Sequence, residues 1–243
     1  MTILKKMMAA SVKGPALEGN DSNTLFLLQS NTTDNSTTFT DSSASNRTLT
    51  KSGNVHHDTA QKKFGTSSIK FDGTADYIEA PYSADFTWGT ADFTLDFWFR
   101  FDANSTDVDS GQAWIVGIGS PAVTWARVVW GAFMSGTTRV AGVQFGANGG
   151  YGISGYASPT IASSTWYHYA LVRYGTAMKV YIDGTAGVTL NGTWNNTNPN
   201  SIKLRVGEAD DGYGDFNGHL DEVRVSNIAR WTSDFDVPTD PYG

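Results

Sequence analysis

Alternating apolar and polar positions predict a chain built almost wholly of β-strands. In the segment 93–101 every second residue is phenylalanine or leucine, and the positions between them carry Thr, Asp, Trp and Arg. This period of two is typical of a central strand with one face in the core. Further strands are predicted at 24–28, 114–118, 127–133, 140–145, 167–174, 178–182, 188–190, 202–206 and 220–225.

Turn residues separate these segments. Asp183-Gly184 predicts a tight hairpin, and Asn217-Gly218 predicts a turn before the last strand. The glycine-rich segment 145–155 predicts a flexible hairpin. No helical period and no internal repeat occur. We therefore expect an all-β domain over residues 21–243, preceded by an extended N-terminal arm over 1–20, in which Gly14-Pro15 breaks any regular element.

Composition supports this fold class and excludes several functions. The chain has 26 glycines and 13% aromatic residues but only 17% charged residues, which suits a turn-rich β-sandwich. Zero cysteines exclude disulfides and thiol catalysis and fit a reducing place of synthesis. The net charge of −7 argues against binding nucleic acid or an anionic membrane through charge. No apolar run is long enough to enter a membrane, and Lys5-Lys6 interrupts the apolar start, so we expect no signal peptide.

Four motifs, taken in order, resemble the laminin-G-like jelly roll of the concanavalin A-like superfamily. They are Phe-Asp-Gly-Thr-Ala-Asp-Tyr at 71–77, Phe-Thr-Leu-Asp-Phe-Trp at 93–98, Trp-Tyr-His-Tyr-Ala-Leu-Val-Arg at 166–173 and Gly-His-Leu-Asp-Glu-Val-Arg-Val at 218–225. The resemblance covers about 25–238. It implies a two-sheet antiparallel jelly-roll sandwich, in which Asp96, Trp98 and Arg100 would lie on an open concave face.

The resemblance also carries an expectation about function. The Ser-Asn-Ile-Ala-Arg-Trp run at 226–231 and the Met1 start are similar to versions found among bacteriophage virion proteins. This implies a non-enzymatic structural or interaction module, made in the host cytoplasm and placed on a capsid, tail or fibre surface. The arm would dock to other virion proteins and the sandwich would face a cell-surface glycan; a homo-oligomer is left open. The alternatives are a free-standing lectin and an atypical glycoside hydrolase.

The same resemblance implies a structural calcium ion beside the last strand. Its ligands would be the Asp221 carboxylate and the Gly73 carbonyl, since calcium prefers such mixed oxygen shells. The leading strand runs Leu-Gln-Ser-Asn at 28–31 and lacks the acid common in relatives. Alternatively, Asp221 caps a turn or pairs with Arg224 or Arg173.

Catalytic patterns are missing from the sequence. The only glutamates are Glu18, Glu79, Glu208 and Glu222, so the Glu-x-Asp-x-x-Glu pattern of sandwich glycosidases does not occur. A hydrolase would need Asp96 and an acid on a neighbouring strand. No Gly-x-Ser-x-Gly elbow accompanies the histidines; the pair at 56–57 is expected in a surface loop and the one at 168 in packing. We expect no enzyme activity.

Several aromatic residues in predicted loops could stack on sugar rings. They are Trp88, Tyr151, Trp194 and Tyr213. Because aromatic side chains also fill sandwich cores, packing is the alternative for each of them.

Overall fold

A computed structural model of the chain describes residues 19–102, 112–119, 127–135, 138–147, 150–191, 203–208 and 215–243. Within these ranges the chain forms fifteen β-strands and one 3-10 turn, Ala84–Phe86. In that same part of the chain, no helix has the length and hydropathy needed to cross a membrane.

The strands form two antiparallel sheets. Sheet I has the order β13-β12-β11-β6-β15-β4-β3, with β1 also paired to β15, and sheet II has the order β10-β9-β8-β7-β14-β5-β2. The bounds are β1 Thr24–Leu28, β2 Thr50–Ser52, β3 His56–Asp58, β4 Ser68–Asp72, β5 Tyr77–Ala80, β6 Phe93–Phe101, β7 Gln112–Gly119, β8 Arg127–Ser135, β9 Thr138–Ala147, β10 Gly150–Thr160, β11 Tyr167–Tyr174, β12 Ala177–Ile182, β13 Thr185–Asn191, β14 Lys203–Val206 and β15 Asn217–Ser226. The predicted all-β jelly-roll sandwich is confirmed.

The core lies between the two sheets, and β6 supplies its centre. All five alternating apolar residues of this strand are buried, as its period of two predicts. Phe97 stacks on Tyr169 of β11 with ring centroids 4.9 Å apart. Every predicted strand coincides with an observed one, and the Asp183-Gly184 hairpin is confirmed by the left-handed φ values of 48° and 72°.

Two local predictions are wrong. Asn217 and Gly218 do not form a turn but begin β15, where Gly218 pairs with Phe71 and Phe101. A Cβ at Gly218 would lie 2.2 Å from the Arg100 carbonyl oxygen, so glycine is needed there for close strand packing. The histidine pair at 56–57 lies in β3 rather than in a loop, and buried His57 contacts Ser30 Oγ at 2.7 Å.

The outer face of sheet I, which points away from the core, is not open as expected. The C-terminal segment, residues 227–243, crosses part of it: Trp231 and Phe235 pack on Ala170, Val172 and Tyr181. Asp96 is fully buried and Trp98 is 3% exposed. What remains accessible is the end of this face around Arg100.

Residues 19 and 20 belong to the sandwich, although the predicted arm included them. The Gly19 carbonyl accepts a hydrogen bond from Arg224 Nη1 at 2.9 Å. The Asn20 amide N–H donates to the Gly243 carbonyl at 3.4 Å. The rest of the predicted arm, 1–18, lies outside the described residues.

A candidate binding cleft on the outer face of sheet I

Strand pairing places three basic side chains in one row. His219 of β15 pairs with Lys70 of β4 on one side and with Arg100 of β6 on the other. Residues directly opposite in neighbouring strands project to the same face. All three side chains therefore project from the outer face, beside the open end of the sheet.

The row borders a cleft of about 560 Å³. This volume falls within the usual range of ligand-binding sites, ~300–1,000 Å³. Polar side chains dominate the lining, which consists of Asp58, Ala60, Gln61, Lys70, Asp72, Arg100, Asp102, Ser164, Asn217 and His219.

Asp102 holds the cations of the cleft in place. Its Oδ2 accepts from Lys70 Nζ at 2.8 Å, and its Oδ1 accepts from Arg100 Nη1 at 2.9 Å. Burial alone would raise the pKa of Asp102, but the neighbouring His219 imidazole and the Lys70 ammonium group lower it well below its usual range. Asp102 is therefore ionised at neutral pH.

His219 lies between two carboxylates. Its Nε2 donates to Asp58 Oδ2 at 2.8 Å, because an ionised carboxylate can only accept. Its Nδ1 lies 3.1 Å from Asp102 Oδ1, without the geometry of a hydrogen bond. Burial would raise the pKa of Asp58, but the bonds from His219 and the Ala60 N–H give a net lowering.

Beneath the C-terminal segment, the outer face carries a buried ion pair. Arg224 Nε and Nη2 donate to the two oxygens of Asp96, each at 3.0 Å, and both side chains are fully buried. The Tyr242 hydroxyl also donates to Asp96, and its ring lies 3.7 Å below the Arg224 guanidinium. Burial raises the pKa of Asp96, but Arg224 and His168 outweigh it and bring the pKa to about 2.

A bulge in β15 positions the neighbouring acids. Between Asp221, opposite Trp98, and Arg224, opposite Asp96, β15 has one residue more than β6. Glu222 takes up this extra length with a left-handed φ of 54° and accepts from the Tyr242 N–H at 2.8 Å. Bulges of this kind re-aim side chains. Here the bulge ties the C-terminal segment to the strand.

Asp221 and Gly73 do not fit one calcium ion. Gly73 packs beside Asn217, and Asp221 lies four strand residues further on, roughly 13 Å away at ~3.3 Å per residue. Calcium ligands lie about 2.3–2.6 Å from the ion, so one ion cannot reach both residues. The Asp221 oxygens instead accept the N–H groups of Phe64, at 3.1 Å, and Glu222, at 3.0 Å. These contacts favour the interpretation in which the Asp221 carboxylate caps backbone N–H groups. Arg224 pairs with Asp96 and not with Asp221.

The predicted sugar-stacking aromatics divide into three cases. Trp88 is 8% exposed and stacks on Phe93, with ring centroids 4.2 Å apart, so it is a core residue and the prediction is wrong for it. Tyr151 lies in β10, and its side chain is outside the described part of the structure. Trp194 and Tyr213 also lie outside the described residues.

The histidine at 168 packs, as predicted. His168 is fully buried and its Nε2 lies 3.2 Å from the Tyr242 hydroxyl oxygen. Of the cleft residues, by contrast, only Arg100 was expected on an open face from the sequence. Lys70, His219 and Arg100 all stand at outward positions of their strands, but only the register of β4, β15 and β6 shows that they adjoin.

Solved structures with a similar fold include binding domains of toxins and of an enzyme. The binding domain of Paraclostridial Mosquitocidal Protein 1 is 16% identical at a TM-score of 0.61, covering 85% of this chain and 49% of that one. Domain 4 of a GH43 extracellular arabinanase from Geobacillus stearothermophilus, solved with arabinotriose, is 15% identical at 0.59, covering 87% and 94%. The botulinum neurotoxin serotype D ligand-binding domain, solved with N-acetylneuraminic acid, is 14% identical at 0.58, covering 85% and 48%.

At these identities the likeness concerns the fold, and the chain spans about half the length of the toxin domains. No curated protein sequence matches the chain. A laminin G family model, described as concanavalin A-like lectin/glucanases superfamily, matches residues 72–234, well over half of the chain. The chain therefore belongs to the laminin G family of the concanavalin A-like lectin/glucanase superfamily.

Proposed function

We propose that this protein is a non-enzymatic glycan-binding module carried on a bacteriophage virion. The cleft on the outer face of sheet I is the observation that carries the binding part. Its volume of about 560 Å³ suits one or two sugar rings, and carboxylates, amides and cations alternate along its wall. Sugar hydroxyls both donate and accept hydrogen bonds, so a wall of this kind can satisfy them.

Two of the cleft side chains have hydrogen-bond donors that the described part of the protein does not use. Among the residues that the structure describes, Arg100 uses only Nη1, in its bond to Asp102. Its Nε and Nη2 therefore remain able to donate to a ligand. Gln61 engages its backbone carbonyl with Ser68 Oγ, which leaves its side-chain amide available.

The carboxylates of the cleft do not suit glycoside hydrolysis. A glycosidase needs one carboxylic acid that keeps its proton near neutral pH, with a raised pKa. Asp58 and Asp102 both have a lowered pKa, because His219 hydrogen-bonds to Asp58 and, together with Lys70, lies beside Asp102. Asp96, the acid considered for a hydrolase, is ion-paired with Arg224 and buried under the C-terminal segment. These features support binding without catalysis.

Known structures with this fold support a sugar as the ligand. The arabinanase domain was solved with arabinotriose and the botulinum serotype D domain with N-acetylneuraminic acid. Because identity is below 17% in each case, the support concerns what the fold can hold and not which residues of this chain hold it.

A glycan array tests the binding function. The wild-type protein and the Arg100→Ala variant would be applied in parallel, followed by calorimetry with the strongest binder. We expect Arg100→Ala to weaken binding about tenfold or more, as for a lost charged hydrogen bond. Lys51→Ala is the matched control, since it removes one exposed cation from β2 of sheet II. Binding that survives Arg100→Ala unchanged would move the site away from the cleft.

The virion role rests on the resemblance of the 226–231 run and is tested separately. Because residues 19 and 20 are bonded to the sandwich, the informative truncation removes 1–18 alone. We expect the truncated protein to fold and to be missing from purified phage particles. Equal incorporation of truncated and full-length protein would contradict docking through the arm.

A further inference from the structure

We infer that the cleft selects neutral glycans and rejects acidic ones, an inference that rests on the proposed glycan-binding function. The hydrogen-bond inventory of the charged side chains carries it. Recognition of an acidic sugar requires cations that are free to pair with its carboxylate. In this cleft the protein itself engages the Lys70 ammonium group and the His219 imidazole.

Lys70 has no proton to spare for a ligand. Its ammonium group donates to the Phe71 carbonyl at 2.6 Å, to Asp102 Oδ2 at 2.8 Å and to Asn217 Oδ1 at 3.1 Å. An ammonium group has three donors. Any ligand carboxylate would have to displace one of these partners.

His219 is equally committed. It is 3% exposed, its Nε2 is bonded to Asp58, and its Nδ1 faces Asp102 at 3.1 Å. Whatever charge the imidazole carries is thus already matched by two carboxylates. Of the three basic side chains in this described part of the chain, only Arg100 keeps N–H groups for a ligand, and one of its nitrogens is already paired with Asp102.

The acceptors of the cleft, in contrast, have capacity left. Asp58 accepts the Ala60 N–H at 2.7 Å and the His219 bond. Asp72 accepts the Thr74 N–H at 2.9 Å and the Asn54 amide at 3.1 Å. A carboxylate offers about four lone-pair positions, so each of these can accept further O–H donors.

The charge balance points the same way. Three carboxylates, Asp58, Asp72 and Asp102, face two permanent cations, Lys70 and Arg100. Even with His219 protonated, the cleft carries no net positive charge. The cleft therefore offers an added carboxylate or sulfate no net attraction, whereas a neutral sugar would donate hydroxyl protons to the carboxylates and accept from Arg100.

The experiment compares matched neutral and acidic glycans. On an array that holds neutral oligosaccharides beside their sialylated, uronate and sulfated forms, we expect the neutral forms to bind at least about tenfold more tightly. The dissociation constant of the best neutral binder should change less than about twofold between 50 and 500 mM NaCl, since no ion pair with the ligand is screened. Arg100→Gln keeps side-chain N–H donors without charge and should therefore weaken neutral binding less than Arg100→Ala does.

The possible outcomes distinguish failure of the inference about neutral glycans from failure of the proposed glycan-binding function. Preferred binding of acidic glycans, weakened by salt and lost in Arg100→Gln, would overturn the inference and leave glycan binding standing. Failure to bind any glycan would overturn both. Asp72→Asn gives a second measurement: removing one carboxylate should improve binding of acidic forms relative to neutral ones. An unchanged ratio with tight acidic binding in the wild type would count against the charge argument.

Discussion

Removing Arg224 should destabilise the protein strongly, because its partner Asp96 is fully buried. The two side chains share two hydrogen bonds of 3.0 Å, and neither is exposed to water. In Arg224→Met, Asp96 keeps, among the residues that the structure describes, the Tyr242 hydroxyl and neighbouring His168 as polar contacts. Breaking a buried pair in this way costs about 3–5 kcal/mol. That is a large share of the ~5–15 kcal/mol by which ordinary domains are stable.

Acid should remove much of the difference between wild type and variant. In the folded protein the pKa of Asp96 is about 2, against an ordinary value of 3.8. Because the folded pKa is the lower one, the pair stabilises the fold above pH ~4 and loses this effect as pH falls from ~4 to ~2. At about 1.4 kcal/mol for each pH unit between the two values, the wild type should lose on the order of 2–3 kcal/mol here.

Urea unfolding followed by tryptophan fluorescence measures both quantities, at pH 7 and at pH 3, where about 1 kcal/mol of the acid-dependent loss should already be seen. Lys203→Met is the matched control, since Lys203 is 40% exposed and pairs with Glu79 at the surface; we expect a loss of ~1 kcal/mol or less. The double variant Asp96→Asn/Arg224→Met should lose clearly less than the sum of the single variants. A loss below ~1 kcal/mol for Arg224→Met, or strict additivity, would refute the reasoning.

Three further outcomes are expected. Gly218→Ala should lower the free energy of unfolding by about 1–3 kcal/mol in urea, since its Cβ would lie 2.2 Å from the Arg100 carbonyl; an unchanged midpoint would show that the strands separate freely. Tyr242→Phe removes the hydroxyl donor to Asp96 and should cost about 1.5–3 kcal/mol in thermal unfolding, and a neutral result would contradict that bond. Because Asp221 is bonded to backbone N–H groups, ~1 mM Ca²⁺ should leave Tm unchanged, whereas a rise reversed by EDTA would favour the calcium site.

The fold could be predicted because its signals are local. Alternation in β6 assigns each residue to one face without reference to any other strand. The Asp183-Gly184 hairpin is likewise local, since both residues adopt positive φ values that this pair tolerates. Five strands were missed. The strands β2, β3, β4 and β5 have only three to five residues, too few to establish a period, and β10 begins in the glycine-rich segment that was interpreted as a flexible hairpin.

The cleft could not be predicted, because it depends on pairing between distant segments. Lys70, Arg100 and His219 adjoin only through the register of three strands. The bulge at Glu222 adds a second difficulty, since it shifts the alternation so that Asp221 and Arg224 both point outward. The one local indication of the bulge is that the core residues Leu220 and Val223 are three positions apart, whereas core residues of a regular strand are two apart.

The position of β15 in sheet I also determines when the protein can fold. This strand, the last in the sequence, lies between β6 and β4 and also pairs with β1. Thr24 therefore pairs with Ser226, although the two residues lie near opposite ends of the sequence. Such non-local pairing makes folding slow. Until β15 leaves the ribosome, the phenylalanine-rich strand β6 lacks the neighbour on one edge, and the incomplete sheet is prone to aggregate. We therefore expect folding to finish only after residue 226 has been synthesised, and yields to improve when synthesis is slow relative to folding or when chaperones are abundant.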